Sequence, residues 1–367
     1  MSLRRFLPDL IVVSLALASC AWMLTRVSGW RRIPILAVVL LFVGGIGTVL
    51  LQAAEQQLGF RLLMVSGLAF AAAVCVVWAR GVDFIARRVN PQRRQVLNVV
   101  SKAVMAAPAV VLGFGILSGR KQFRVEEVDL AVPNLAPDLE GLRIAQLSDI
   151  HLSPFLSRSE LAWCVDMANE HRPQIGLITG DLITGVHDSI DDCLDELRRL
   201  RAEAGVFGCM GNHEGYIGAE SYVAAEAARR GHVFLRRQQH SLTFGAARLN
   251  LGGVDHQWSK AAYLRGADRL VRPGELNVLL SHNPDVFPVA AKQGWDVTFS
   301  GHMHGGQINL ELGKANLNFM RLVTPYVSGL YREDGAAIYV SRGIGTVGMP
   351  ARVGAPPEVG IIRLRRA

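Results

Sequence analysis

The sequence predicts an α/β domain preceded by an all-α membrane region, and three observations carry that reading. Four apolar runs crowd the first third of the chain, short apolar runs alternate with helical segments further on, and several of those short runs end in Asp, Asn or His. Helices that span a bilayer read as long, nearly uncharged stretches, whereas buried strands read as short ones bounded by turn residues.

The membrane region comes first. The 367 residues have a mean hydropathy of +0.25, unusual for a purely soluble chain. The runs Leu10–Leu24, Ile33–Leu51, Leu62–Ala79 and Ala103–Leu117 contain almost no charge, and a span takes about 20 predominantly apolar residues. About four transmembrane helices are expected within residues 1–120, ahead of a globular domain over 121–367. Pro8 and Asp9 shorten the first, and the fourth reaches full length only by including Asn98 and Lys102, a lysine that can snorkel from a helix end. Leu17-Ala18-Ser19-Cys20, after Arg4-Arg5, also resembles a lipoprotein cleavage site. The run continues through Ala21-Trp22-Met23-Leu24, so a retained helix explains more of the sequence.

Charge separates the two regions. Residues 1–125 hold 15 Lys/Arg against 3 Asp/Glu, and the remainder holds 24 against 28, which accounts for the net +8. The basic excess belongs to the membrane loops facing lipid head groups, and the globular part has no electrostatic footprint for nucleic acid. Cys20, Cys75, Cys164, Cys193 and Cys209 are scattered and odd in number, which argues against a disulfide framework.

Gln122–Leu135 alternates apolar and polar residues and reads as the strand that enters the domain. Strands then follow over Leu142–Leu147, Ile175–Thr179 and Val206–Met210, with helices over Arg158–His171 and Ile190–Ala204 between them. Ser241–Val254 reads as a hairpin, Leu276–Ser281 and Val297–Ser300 as strands, and Tyr326–Arg332 and Ala337–Ser341 as two more. Strands whose carboxyl ends carry functional residues open onto a shared crevice in α/β sheets.

The strand ends carry Asp149-Ile150-His151, Gly180-Asp181, Gly211-Asn212-His213-Glu214, Ser281-His282 and Gly301-His302-Met303-His304-Gly305-Gly306-Gln307. Asp, Asn and His are the donors that divalent cations take, and a pair of cations needs a carboxylate able to bridge them. A lone Asp or His in one such segment is ordinary surface or capping chemistry; five segments in order are not. The other histidines, His171, His187, His232, His240 and His256, have no such company and read as structural or solvent-facing. Glu214 reads equally as support for the ligands or as a helix-start acid.

With these motifs in hand, the chain resembles the calcineurin-like metallophosphoesterases, and in particular their bacterial membrane-anchored branch. The likeness covers about Phe123–Leu364, including Leu139-Glu140-Gly141-Leu142-Arg143-Ile144, Ser328-Gly329-Leu330-Tyr331 and Tyr339-Val340-Ser341-Arg342-Gly343-Ile344-Gly345. It implies a four-layer α/β/β/α sandwich of two mixed sheets flanked by helices. It also implies that Asp149, His151 and His304 hold one metal, that Asn212, His282 and His302 hold a second, and that Asp181 bridges both. Asn212 and His213 would contact the substrate, with His213 protonating the leaving oxygen, so that His213 and Asp181 are the catalytic residues. Met303 stands where close relatives commonly have Thr; it is no ligand in that pattern, so the expected cost is one supporting hydrogen bond.

Two cations roughly 3.5–4 Å apart acidify a bridging water, and the resulting hydroxide attacks phosphorus in line. Mixed imidazole and carboxylate donors suit Mn, Fe, Zn or Co. Arg352 is a candidate to reach a substrate phosphate from a late loop, with a plain surface arginine as the alternative.

A tethered phosphoesterase suggests a lipid-linked or membrane-proximal phosphoester, with membrane lipids as partners. The named alternative is a UDP-2,3-diacylglucosamine pyrophosphatase-like hydrolase of lipid A synthesis; a catalytically inactive membrane scaffold and an enzyme of soluble phosphoesters are the others. The resemblance places the protein in a bacterial inner membrane as a multi-pass protein. With four spans, Arg26, Arg31, Arg32, Arg80, Arg87, Arg88, Arg93, Arg94 and Lys102 share one side, which puts the catalytic domain on the extracytoplasmic side.

Overall fold

The computed structural model describes residues 94–312 and 315–367. The apolar runs ending at Leu24, Leu51 and Ala79 lie outside the described residues, as do Cys20 and Cys75. The chain divides between Phe114 and Gly115, and Gly115–Ala367 carries both sheets.

Helix α1, Arg94–Leu117, contains the fourth apolar run and has Pro108 inside it. Among the described residues no helix is long and apolar enough to cross a membrane. The helix attains its length through Arg94, Gln95, Asn98, Ser101 and Lys102, and the apolar part that follows is shorter than the about 20 residues a bilayer requires.

The first sheet has the order β1, β14, β2, β3, β4, β5. Its strands are β1 (Arg124–Val132), β2 (Arg143–Leu147), β3 (Ile175–Thr179), β4 (Val206–Cys209), β5 (His232–Phe234) and β14 (Glu358–Arg366). β14 runs parallel to β1 and antiparallel to β2, and β2 to β5 are mutually parallel. The second sheet has the order β12, β13, β9, β8, β7, β6, from β6 (Gln238–Phe244), β7 (Ala247–Gly253), β8 (Leu276–Leu280), β9 (Val297–Ser300), β12 (Gly329–Glu333) and β13 (Ala336–Val340). Both sheets are mixed. A hairpin of β10 (Asn309–Leu312) and β11 (Ala315–Asn318) stands apart from them.

Strand periodicity sorts the core into layers. In β2, Ile144 points to the interior shared with the second sheet, where it joins Leu177, Phe207, Val278, Phe299 and Tyr339. Its neighbours Ala145 and Leu147 point the other way, against Leu161, Val165, Leu194 and Ala227, which come from α2 (Arg158–Glu170), α3 (Ile190–Leu197) and α5 (Glu220–Arg229). Beyond the second sheet, Leu279 packs with Trp295 and Ala290, the latter from α6, Phe287–Gln293. The order is helix, sheet, sheet, helix. Gln146 fastens the two sheets, donating to Thr179 Oγ1 at 2.8 Å and to Ser300 O at 3.0 Å.

Ser157 starts α2 through a capping box with Glu160. α3 stops at Leu197 instead of continuing to Ala204, because Asn169 takes over the backbone beyond it. The Asn169 amide donates to Arg199 O at 2.9 Å, and its oxygen accepts from Arg201 N at 2.7 Å.

Candidate metal centre

Each ligand-bearing segment leaves the carboxyl end of a strand. Asp149 and His151 follow β2, Asp181 follows β3, Asn212 and His213 follow β4, His282 follows β8, and His302 and His304 follow β9. The chain must turn sharply at these ends to aim the side chains inward. Asp149, His151, Asp181, His302 and His304 all sit at positive φ, between 47° and 74°. Such values cost a non-glycine residue on the order of 1–3 kcal/mol and cluster where a site demands them. Gly211 is required by closeness: a Cβ there would lie 2.1 Å from Asp181 Oδ1.

The side chains form two groups that share one carboxylate. Asp149, His151, Asp181 and His304 make the first, and Asp181, His282 and His302 make the second. Asp181 Oδ2 lies 3.5 Å from His151 Nε2 and 3.1 Å from His282 Nε2. Asp149 Oδ1 lies 3.2 Å from His304 Nε2.

Supporting contacts fix the orientation of these groups. His282 Nδ1 is 2.6 Å from Thr179 O, so this nitrogen donates to the carbonyl and Nε2 faces the cluster. Asp149 accepts from Ser148 Oγ at 2.6 Å and from His302 N. The Glu214 carboxylate accepts from the backbone N–H of Asp181, Leu182 and Gly211, at 3.0, 2.7 and 2.7 Å. Glu214 is therefore both a helix-start acid of α4, Asn212–Tyr216, and the clamp on the loop that carries Asp181.

The electrostatics show what the donors lack. Burial, reinforced by the nearby Asp181 charge, pushes the Asp149 carboxyl up to about 6. Burial also raises Asp181, but the imidazoles of His282, His213 and His151 outweigh it and hold that carboxyl well below its ordinary value. Burial lowers His282, yet Asp181 and Asp149 overcome it and bring the imidazole to about 10. His151, lowered by burial to about 3, and His302 and His304, both held low by burial, stay neutral. Asn212 Oδ1 and His282 Nε2 are buried without a hydrogen-bond partner. A buried amide oxygen with no donor and neutral imidazoles around a carboxylate pair are the chemistry that a cation satisfies, so the residues present fit divalent metal ions.

His213 borders the first group, its ring edge-on to His151 with centroids 4.7 Å apart. Its Nδ1 lies 2.7 Å from Thr184 O and donates to it, and its Nε2 lies 3.9 Å from Asp181 Oδ2. The structure thus brings Asp149, His151, Asp181, Asn212, His213, His282, His302 and His304 into one place.

Arg352 is placed otherwise than expected. It is 1% exposed, and its guanidinium donates to the carbonyls of Arg342, Gly343, Gly345 and Ala355. Nη2 also approaches His304 Nδ1 at 3.4 Å. A side chain so occupied holds the loop behind His304 and does not reach a substrate phosphate. Met303 is buried.

His256 joins the site unannounced. Its ring lies 5.2 Å from that of His302 and 5.7 Å from that of His282, centroid to centroid, and its Nδ1 is buried without a partner. The signal for it was available: Asp255-His256 follows the end of β7 as the other ligand segments follow their strands.

A layered sandwich that gathers donors from five strand ends into two groups around one carboxylate has the organisation of a metal-dependent hydrolase. The profile of the calcineurin-like phosphoesterase family matches residues 142–306, the stretch that contains every one of these donors, and the chain carries a calcineurin-like metallophosphoesterase domain. A transmembrane protein with metallophosphoesterase domain from Danio rerio is 29% identical over 293 residues, covering 75% of this chain and 63% of that protein. The chain thus spans less than two thirds of that relative's length. Uncharacterized metallophosphoesterases of Campylobacter jejuni and Bacillus subtilis are 28% and 29% identical; they cover 75% and 74% of this chain and 73% and 97% of their own.

Proposed function

We propose that the protein is a membrane-tethered, dinuclear metal-dependent phosphoesterase whose substrate is a lipid-linked or membrane-proximal phosphoester or diphosphate. The observation that carries the reading is the position of Asp181 Oδ2 between His151 Nε2 and His282 Nε2, a carboxylate shared by two sets of donors. Asp149, His151, His304 and Asp181 would hold one cation, and Asp181, Asn212, His282 and His302 the other. When bound, such a pair acidifies water and neutralises phosphate charge.

The remaining steps belong to the chain. Thr184 O fixes the His213 ring through Nδ1, leaving Nε2 at the edge of the cluster, where it hands a proton to the leaving oxygen. Glu214 keeps Asp181 in register, and Arg352 keeps His304 in place. No side chain needs to form a covalent intermediate. Tethering is supported by the apolar runs Ile33–Leu51 and Leu62–Ala79 in the sequence. The side of the membrane depends on span parity: four spans place the domain outside the cytoplasm, and three place it inside.

The test is turnover by detergent-purified full-length protein, with Mn supplied or chelated, on an aryl phosphodiester, an aryl phosphomonoester and UDP-diacylglucosamine. Metal-dependent turnover that Asp181→Ala and His213→Ala both abolish supports the reading. Turnover that survives either substitution contradicts it.

A further inference from the structure

The four most exposed large apolar side chains among the described residues of the catalytic unit are Leu322 at 85%, Leu117 at 78%, Phe319 at 77% and Val323 at 65%. Phe319, Leu322 and Val323 lie together in and just after one turn beside the site. Asn318 Nδ2 donates to Gly305 O at 2.9 Å, which anchors the turn Phe319–Leu322 one residue from His304. Asn318 Oδ1 also accepts from Met320 N at 3.1 Å, so the turn is capped in a shape that holds its apolar residues outward. Gly115, two residues before Leu117, is tied by backbone to the segments that follow His304. Arg352 N donates to Gly115 O, Val353 N to Gln307 O, and Asn309 N to Val353 O. A persistent exposed apolar patch of this kind marks a surface that something apolar covers.

We propose that Phe319, Leu322 and Val323, with Arg321 between them, enter the boundary between lipid head groups and acyl chains and hold the mouth of the site at a bilayer surface. This rests on the phosphoesterase reading above and deepens it, because it names the bilayer as the place from which substrate is taken. Two observations select lipid as the occupant. The chain ahead of Arg94 contains apolar runs of bilayer length, and Gly115, the first residue of the catalytic unit, is bonded through its carbonyl to Arg352 N. Arg321 is exposed amid the apolar residues, the pairing of charge and hydrocarbon that suits anionic head groups. A second protein copy would need about 800 Å² per partner, more than one five-residue turn supplies.

The test uses full-length protein in vesicles of phosphatidylcholine and phosphatidylglycerol, with and without brominated acyl chains. Leu322→Trp adds an indole in the turn, and Val233→Trp adds one at an exposed strand position as a control. The expected result is that brominated lipid quenches the emission added by L322W and leaves that added by V233W. Unquenched L322W emission overturns the proposal, whether it is water-like, which leaves the turn in solvent, or blue-shifted, which means protein covers it. This readout needs no turnover, so an inactive protein with a quenched turn would refute the phosphoesterase reading alone. In the active protein, replacing Phe319, Leu322 and Val323 by Ser should preserve turnover of a soluble aryl phosphodiester and lower turnover of a vesicle-held phospholipid several-fold. Equal loss on both would also overturn the proposal.

Discussion

His151 Nε2 and His304 Nε2 face each other at 3.2 Å, and the second of these is 3.2 Å from Asp149 Oδ1. Both rings are neutral, and burial opposes adding a second proton to either, so at most one N–H can lie between the two nitrogens. A cation between them satisfies both at once. The strained backbone at His151 and His304 is maintained for that arrangement.

Glu214 touches no expected ligand atom, yet it accepts three backbone N–H groups at the turn that presents Asp181. Replacing it by Gln sets an amide N–H₂ against those donors. Glu214→Gln is expected to weaken metal affinity by about 10–100-fold with the fold retained. A metal titration followed by activity or calorimetry checks this, and unchanged affinity would remove Glu214 from the account.

Arg352 is expected to matter for stability and not for substrate affinity. Arg352→Met strips the carbonyls of Arg342, Gly345 and Ala355 of their side-chain donor, while Gly343 O keeps the N–H of Glu358. The loss should amount to about 3 kcal/mol, since each stranded buried acceptor costs about 1–3 kcal/mol and some relax to water. The melting temperature should fall while KM of the surviving folded enzyme stays put; a raised KM at unchanged stability would restore the substrate-binding role.

His232, buried in β5 with its Nδ1 unpartnered, supplies a pH effect remote from the metals. Burial holds its imidazole down at about 4, against an ordinary 6.5. The folded value lies below the unfolded one, so the stability from keeping this residue neutral is present above pH 6.5 and drains away as pH falls toward 4. His232→Leu should flatten the fall in melting temperature across that window relative to the parent. Parallel curves for the two proteins would show that His232 contributes nothing.

The donors were legible because each follows directly on a short apolar strand, a signal confined to a few residues. The two sheets were partly legible for the same reason. Strand β14 was missed because its apolar stretch is short and its end carries Arg363, Arg365 and Arg366; its place between β1 and β2 is set by pairing across more than two hundred residues. His256 is hard to read from sequence because it stands outside the five ligand segments; its nearness to His282 and His302 arises only in the fold. Arg352 was misplaced because a sequence does not reveal that several loop carbonyls converge on one guanidinium. The early end of α3 depends on Asn169, which lies in a different helix.

The most direct measurement is the number of divalent cations retained by full-length protein after gel filtration, read by elemental analysis. The wild type should hold one for each of the two donor groups, and His151→Ala and His282→Ala should each lose one. Asp181→Ala should lose both, because its carboxylate belongs to both groups. A wild type that retains no metal, or an Asp181→Ala variant that keeps the full complement, would contradict the shared-carboxylate centre on which the account depends.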